Sequence, residues 1–299
     1  MPSSACIVSL KGFGDFVIVC RALRELRGTA QEAGTHLPIL AGEHLRELAL
    51  ALSVARDVRF VETGRGYPAA YDIRRCGLRS ALLSLAGLKR GLSTVPSDCE
   101  LLFDRVGWRE RFIGAPRPLR GYLSAPNVNI ALLETLAHGQ WAASNKDSGT
   151  IRATPAPGAD SGTVRFFPIS RLVMKNIPGP VLARLTGQAR DAGLNCEIVL
   201  MGDEALDVPS EVPTLRIERN FASLIDALRS SAAVVSADSL PAHLADYFGV
   251  PVFVASPVRN EYWLPLSCFR GDSWCLFDDQ LALPAWLSRT LSSLSGVAP

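Results

Sequence analysis

The sequence predicts two α/β units in tandem, each built on a parallel, doubly wound sheet. Three observations predict it. Apolar runs of strand length alternate with helical periodicity along most of the chain. From Gly139 to Gly162 the composition shifts to Ser, Ala, Thr, Pro, Gly and Asp, which marks a linker. Polar turns follow the strands in both halves, where open α/β sheets bind ligands. The units so drawn run from 1 to 150 and from 151 to 299, with the last helix free to pack back on the first unit.

In the first unit, Ala5–Leu10 reads as a buried strand. It leads through Lys11-Gly12-Phe13-Gly14-Asp15 into a helix whose Phe16, Val19, Leu23 and Leu26 share one face. Strands are expected at Leu37–Ala41 and Val58–Val61, with a helix from Glu43 to Val54 between them. Tyr71-Asp72-Ile73 leads into the run from Arg74 to Gly87 as a further strand-to-helix passage, and Leu132–Leu136 reads as the end of another helix. The second unit begins with a strand at Val164–Phe167 and a polar turn through Ser170, Arg171 and Lys175. A helix from about Pro180 ends at Gly193, a natural C-cap. Strands at Cys196–Met201 and Leu215–Ile217 and a helix at Phe221–Leu228 follow. Val234–Val254 then reads as strand, turn at Asp238-Ser239, helix, and second strand entered through Gly249 and Pro251. Leu281–Leu294 forms the last helix.

Composition narrows the function. The chain has 299 residues, a net charge of +2 and 48% hydrophobic residues, enough for two cores and too neutral for general nucleic-acid binding. Seven scattered cysteines without a CxxC pair suit reduced core thiols better than a zinc site or a disulfide framework. With no basic leader and no apolar run of membrane-spanning length, the expected place is the cytoplasm.

The glycine turn at Gly12–Asp15 lacks the third glycine of a dinucleotide fingerprint, because Val17 stands there, and it has no GK[ST] of a P-loop. It remains a turn that lets a molecule approach the backbone, with Asp15 either at the helix dipole or poised at the strand's carboxyl edge. Asp238 or Ser239 can cap the helix that follows them, whose N-terminus favours a phosphate, and His243 lies about one turn further on. Between 72 and 120 the chain is basic, with Arg74, Arg75 and Arg79 among ten cations facing Asp72, Asp98, Glu100, Asp104 and Glu110. Such a stretch is either a solvated surface or a lining for an anionic partner. It lacks the aromatic interleaving of a nucleic-acid platform.

Four segments in order carry a resemblance. Ser9-Leu10-Lys11-Gly12-Phe13-Gly14-Asp15, Tyr71-Asp72-Ile73 with Arg79-Ser80-Ala81-Leu82-Leu83, the Lys175 turn before Ile177-Pro178, and Asp238-Ser239-Leu240-Pro241-Ala242-His243-Leu244-Ala245 with Gly249-Val250-Pro251-Val252 resemble the heptosyltransferases of bacterial lipopolysaccharide synthesis. Leu240 departs from that pattern, standing where the family carries glycine. The resemblance implies the GT-B fold, two Rossmann-like domains facing a central cleft. It implies a metal-independent inverting glycosyltransferase that moves heptose or a related sugar from a nucleotide-diphosphate donor to a saccharide or glycolipid acceptor. Asp15 is then the catalytic base. Gly14, Ser170, Arg171, Lys175, Glu204, Asp238, Ser239, Leu240 and His243 bind the donor, with Glu204 at the ribose, and Arg74, Arg75 and Arg79 meet an acidic acceptor. No cofactor beyond the donor is implied, an ADP-sugar is favoured, and the partners are small molecules with peripheral contact at the inner membrane. Two other readings share the fold: a nucleotide-sugar-binding module without transfer, and a nucleotide-sugar epimerase.

Overall fold

Strand β1 (Ser4–Ser9) is the strand on which the first sheet turns. Its residues Ala5 to Ser9 are all buried, and Ala5 to Val8 form an unbroken apolar run, as a parallel strand covered on both faces does. In the computed structural model, residues 4–10, 12–30, 38–61, 78–97, 99–103, 125–138, 162–279 and 282–294 are described. The chain divides into two units, Met1–Ile151 and Arg152–Pro299.

In the first unit β1 leads to α1 (Phe13–Ala30), then β2 (Ile39–Gly42) and a 3-10 turn at Glu43–Leu45 that runs into α2 (Arg46–Ala51). The single helix expected from 43 to 54 is therefore shorter. Ser53 takes a positive φ of 58°, which ends it. Strand β3 (Val58–Val61), α3 (Leu78–Leu92), β4 (Cys99–Phe103) and α4 (Val128–His138) follow. The described strands are all parallel, in the order β3-β2-β1-β4, so the order reverses at β1. Cys6, Val8, Leu10, Leu40, Leu88 and Phe103 form a core on one side of the sheet, while α1 packs with α4. Tyr71–Ile73 lies outside the described residues.

The second unit runs β5 (Thr163–Phe167), a 3-10 turn (Val173–Lys175), α5 (Gly179–Asp191), β6 (Asn195–Met201), β7 (Thr214–Ile217) and α6 (Phe221–Arg229). It continues with β8 (Ala233–Ala237), α7 (Leu240–Phe248), β9 (Val252–Ser256), α8 (Leu266–Gly271), β10 (Trp274–Leu276) and α9 (Ala282–Leu294). Six parallel strands stand in the order β10-β9-β8-β5-β6-β7. The chain moves outward from β5, then returns to the other side of β5 with β8. The topological switch point therefore lies between β5 and β8, which are in register at Phe167 and Ser236.

Every residue of β8 and β9 is buried. Phe166, Ile198, Leu200, Val235 and Phe253 sit in the core, and α9 adds Leu283, Trp286 and Leu287 to it. Trp286 packs on Phe253 with ring centroids 5.4 Å apart, and α9 lies against α5 and β10 of its own unit. Each such side chain contributes about 1.5–3 kcal/mol by burial. Gly249 ends α7 in a left-handed turn at φ 73°.

Candidate functional site

Two turns meet at the switch point of the second sheet. The first leaves β5 at Pro168 and is closed by its own polar groups. Ile177 N–H donates to Pro168 O at 2.9 Å, Ser170 N–H donates to Asn176 Oδ1 at 2.8 Å, and Leu172 N–H donates to Ser170 Oγ at 3.3 Å. These bonds fix the 3-10 turn that carries Lys175, which is why a long, rotamer-rich side chain has a defined origin. The second turn leaves β8 at Asp238 and enters α7. Because β5 and β8 are neighbours, the two turns are neighbours, and Lys175 Nζ stands 2.6 Å from Asp238 Oδ2.

The pair is asymmetric. Asp238 is 6% exposed and Lys175 25%. The carboxylate is the buried anchor and the ammonium opens toward solvent. An ammonium carries three N–H donors, and this pairing uses one of them. Asp238 therefore holds a positive charge at the carboxyl edge of the sheet with donors to spare.

The expected cap on α7 is not made. Ser239 occupies the N-cap position without a side-chain bond to the helix, and its hydroxyl donates to Ala237 O at 3.2 Å. The physical reason is competition: the ammonium takes Asp238, and the strand end takes Ser239. The N-terminus of α7 thus has no side-chain acceptor, and its dipole adds to the charge of Lys175. Leu240 opens the helix without a positive φ, so the leucine meets no backbone strain where glycine was expected. His243, one turn in, is 9% exposed and buried within the unit.

Other expected residues fall as follows. Ser170 serves to close its own turn, and Arg171 is exposed beside it. Glu204, after β6, accepts Met201 N–H at 2.9 Å and has Arg219 Nη2 3.4 Å away, so it is held in its turn at the strand next to β5. In the first unit Gly14 lies within the first turn of α1. Asp15 Oδ2 accepts Gly12 N–H at 3.1 Å, the reach-back bond of a capping box, at the end of the strand where the first sheet reverses. Arg79 is exposed on α3, while Arg74 and Arg75 lie outside the described residues.

Two contributors escaped the sequence reading. Asn176 closes the Lys175 turn. Asp246, 7% exposed on α7, accepts the N–H groups of Leu266 at 3.2 Å and Ser267 at 3.1 Å and so caps α8. A carboxylate on a helix otherwise buried from Pro241 to Tyr247 was the available signal, since it must find donors.

The cysteines are free among the described residues, and burial pushes the thiols of Cys6 and Cys275 up to about 12 and that of Cys196 to about 11. Among the described residues no group of three or more His, Cys, Asp or Glu is gathered as metal ligands are, and no helix is long and apolar enough to cross a membrane.

No protein-family model matches the chain, and no curated protein matches it in sequence. Solved structures do match in fold. Escherichia coli ADP-heptose lps heptosyltransferase II is 15% identical with a TM-score of 0.61, over 97% of this chain and 99% of that one. A glycosyl transferase family 9 protein from Veillonella parvula is 12% identical with a TM-score of 0.61, over 98% of each chain. Escherichia coli heptosyltransferase WaaC with ADP is 12% identical with a TM-score of 0.55, over 96% of this chain and 99% of that one. The likeness is one of fold. It spans both units and agrees with the tandem parallel-sheet architecture read from the sequence.

Proposed function

We propose that the chain is a glycosyltransferase that binds a nucleotide-diphosphate sugar in its second unit. The observation that carries this reading is the Lys175 ammonium, held by buried Asp238 beside the uncapped N-terminus of α7 at the strand-order reversal. A diphosphate needs converging positive charge, and a leaving diphosphate needs more of it as the glycosidic bond breaks. An ammonium with spare donors and a helix N-terminus supply that charge. The whole-chain likeness to WaaC, solved with ADP and with ADP-2-deoxy-2-fluoro heptose, supports an ADP-sugar of heptose type as donor.

In this reading transfer is a single inverting displacement. Asp15 takes the proton from an acceptor hydroxyl as its oxygen attacks the anomeric carbon, and the nucleoside diphosphate leaves with its charge met by Lys175 and α7. The Gly12 N–H bond holds the carboxylate in one orientation for that task. Charge balance by lysine and helix needs no metal. Glu204 meets the ribose, and Arg74, Arg75 and Arg79 favour an acidic saccharide or glycolipid acceptor. The reaction belongs in the cytoplasm, with peripheral contact at the inner membrane face.

One observation favours a module without transfer: Asp15 already has a structural task in its capping bond. Turnover separates the two. Wild-type chain given ADP-heptose and a glycolipid acceptor should release ADP, and Asp15→Asn should release at least about a hundredfold less while still binding ADP. Binding of donor with neither transfer nor hydrolysis in the wild type would favour the module, and unchanged turnover in Asp15→Asn would remove the base assignment.

A further inference from the structure

The strand order of the second sheet also assigns a place to the donor's sugar. A nucleotide-diphosphate sugar is linear, with its diphosphate between nucleoside and sugar. Along the carboxyl edge the strands stand in the order β6-β5-β8-β9. Glu204 follows β6, Lys175 follows β5 and Asp238 follows β8. With the diphosphate at Lys175 and the ribose at Glu204, the sugar falls on the far side, toward β9. Adjacent strands lie about 4.8 Å apart, so the ends of β6 and β9 are about 14 Å apart, a distance such a molecule spans.

The turn after β9 begins where that sugar needs it. Ala237 is in register with Ala255, so the chain leaves β9 at the level of Asp238. Ser256 Oγ donates to Val258 O at 2.8 Å, and Trp263 N–H donates to Asn260 O at 3.1 Å across a 3-10 turn at Glu261–Trp263. Beyond it, Asp246 of α7 accepts the N–H groups of Leu266 and Ser267. Both ends of the segment are therefore fixed to elements that build the anion site. Tyr262 and Trp263 are half-buried, with ring centroids 5.1 Å apart and planes at 85°. Asn260 and Glu261 are half-buried beside them; Asn260 makes no side-chain cap bond, and Glu261 pairs with exposed Arg259 at 2.6 Å.

We propose that Asn260–Trp263 forms the subsite for the donor's sugar, an inference that rests on the diphosphate reading. A sugar ring has apolar C–H faces and a rim of hydroxyls. An aromatic face takes the first; an amide and a carboxylate take the second, the amide as both donor and acceptor. Arg259 offsets the charge of Glu261, so the pair adds no net charge near the diphosphate. A base stacked on these rings instead would carry the ribose away from Glu204, which stands on the far side of β8 and β5.

The test is isothermal titration of the full chain with ADP and with ADP-heptose. Asn260→Ala and Tyr262→Leu should each weaken ADP-heptose about three- to tenfold, the worth of one hydrogen bond or one stacked face, and leave ADP within about twofold. Trp263 supplies a second readout. Its fluorescence should change with ADP-heptose and not with ADP, and Trp263→Phe should remove that difference. Thermal unfolding of Asn260→Ala should match wild type, since its side chain makes no cap bond. ADP-heptose affinity that neither variant lowers would overturn the proposal, while ADP binding would leave the diphosphate reading intact. Equal losses for ADP and ADP-heptose would overturn it too, because the turn would then serve the nucleotide or the fold alone. A wild type that binds neither ligand would refute the diphosphate reading and the subsite with it.

Discussion

Replacing Lys175 by methionine removes the ammonium from Asp238 and keeps most of the side chain's length. Asp238 is 6% exposed, so its carboxylate would be left almost wholly buried without its counter-charge. Breaking a buried pair costs about 3–5 kcal/mol, and an exposed pair is worth about 0–1 kcal/mol. With Lys175 25% exposed, this pair lies between those limits, and we expect about 2 kcal/mol. For a chain of this size that lowers Tm by about 4–8 °C in the transition of the second unit. Adding Asp238→Asn removes the stranded charge, so the double variant should recover most of the lost stability. It should not recover nucleotide affinity. A charge-assisted hydrogen bond to a phosphate is worth about 1.5–3 kcal/mol, so ADP should bind roughly ten- to a hundredfold more weakly to both variants. Scanning calorimetry and isothermal titration on the three proteins make the comparison. If Lys175→Met melts with the wild type, the buried-anchor reasoning fails. If the double variant regains full ADP affinity, the lysine is a structural residue and no part of an anion site.

Asp15→Asn should cost about 1 kcal/mol or less in urea unfolding of the first unit, because the amide oxygen still accepts Gly12 N–H; a loss of several kcal/mol would make Asp15 chiefly a structural residue. Gly91→Ala should destabilise the first unit by about 1–3 kcal/mol despite alanine's better helix propensity, because the new methyl meets Val61 at 2.5 Å. Val61→Ala should offset part of that loss, and a stabilised single variant would show that α3 does not lie so close to β3. Alkaline unfolding should follow the buried thiols. Cys6, Cys196 and Cys275 titrate near 12, 11 and 12 in the fold and near 9 when unfolded. Above about pH 9 the unfolded chain gives up these protons first, so stability is full below that pH and is lost as pH rises toward 12. Burial raises the Cys268 thiol as well, so replacing the other three cysteines by alanine should lessen the decline between pH 9 and pH 11 without abolishing it; an unaltered slope would assign it to other groups.

The second unit was more legible in sequence than the first, for reasons that lie in its residues. β8 and β9 are apolar runs buried on both faces, and Gly249 with Pro251 punctuates the passage between them. β10 leaves little trace in sequence because it has three residues, Trp274–Leu276, behind Asp272 and Ser273. β4 is hard to read from sequence because its apolar Leu101–Phe103 is short and is flanked by Asp98, Glu100, Asp104 and Arg105. At the site, Lys175 and Asp238 could each be singled out by type and position, but their pairing could not. They are 63 residues apart and meet only because the chain returns to the far side of β5, a property of strand order rather than of local pattern. The capping role expected of Asp238 and Ser239 was a sound local inference, overridden by that long-range partner. Asp246 shows the same limit: its donors lie 20 and 21 residues away on another helix.

The central claim is that the switch point between β5 and β8 recognises a diphosphate. Isothermal titration of the full chain with ADP, GDP and UDP, each beside its monophosphate and nucleoside, tests it most directly. We predict that one diphosphate binds, that its monophosphate binds at least about tenfold more weakly, and that the nucleoside adds little, since the ammonium and the helix N-terminus address the phosphates. A folded chain that binds no diphosphate, or that binds a nucleoside as tightly as its diphosphate, would contradict the account.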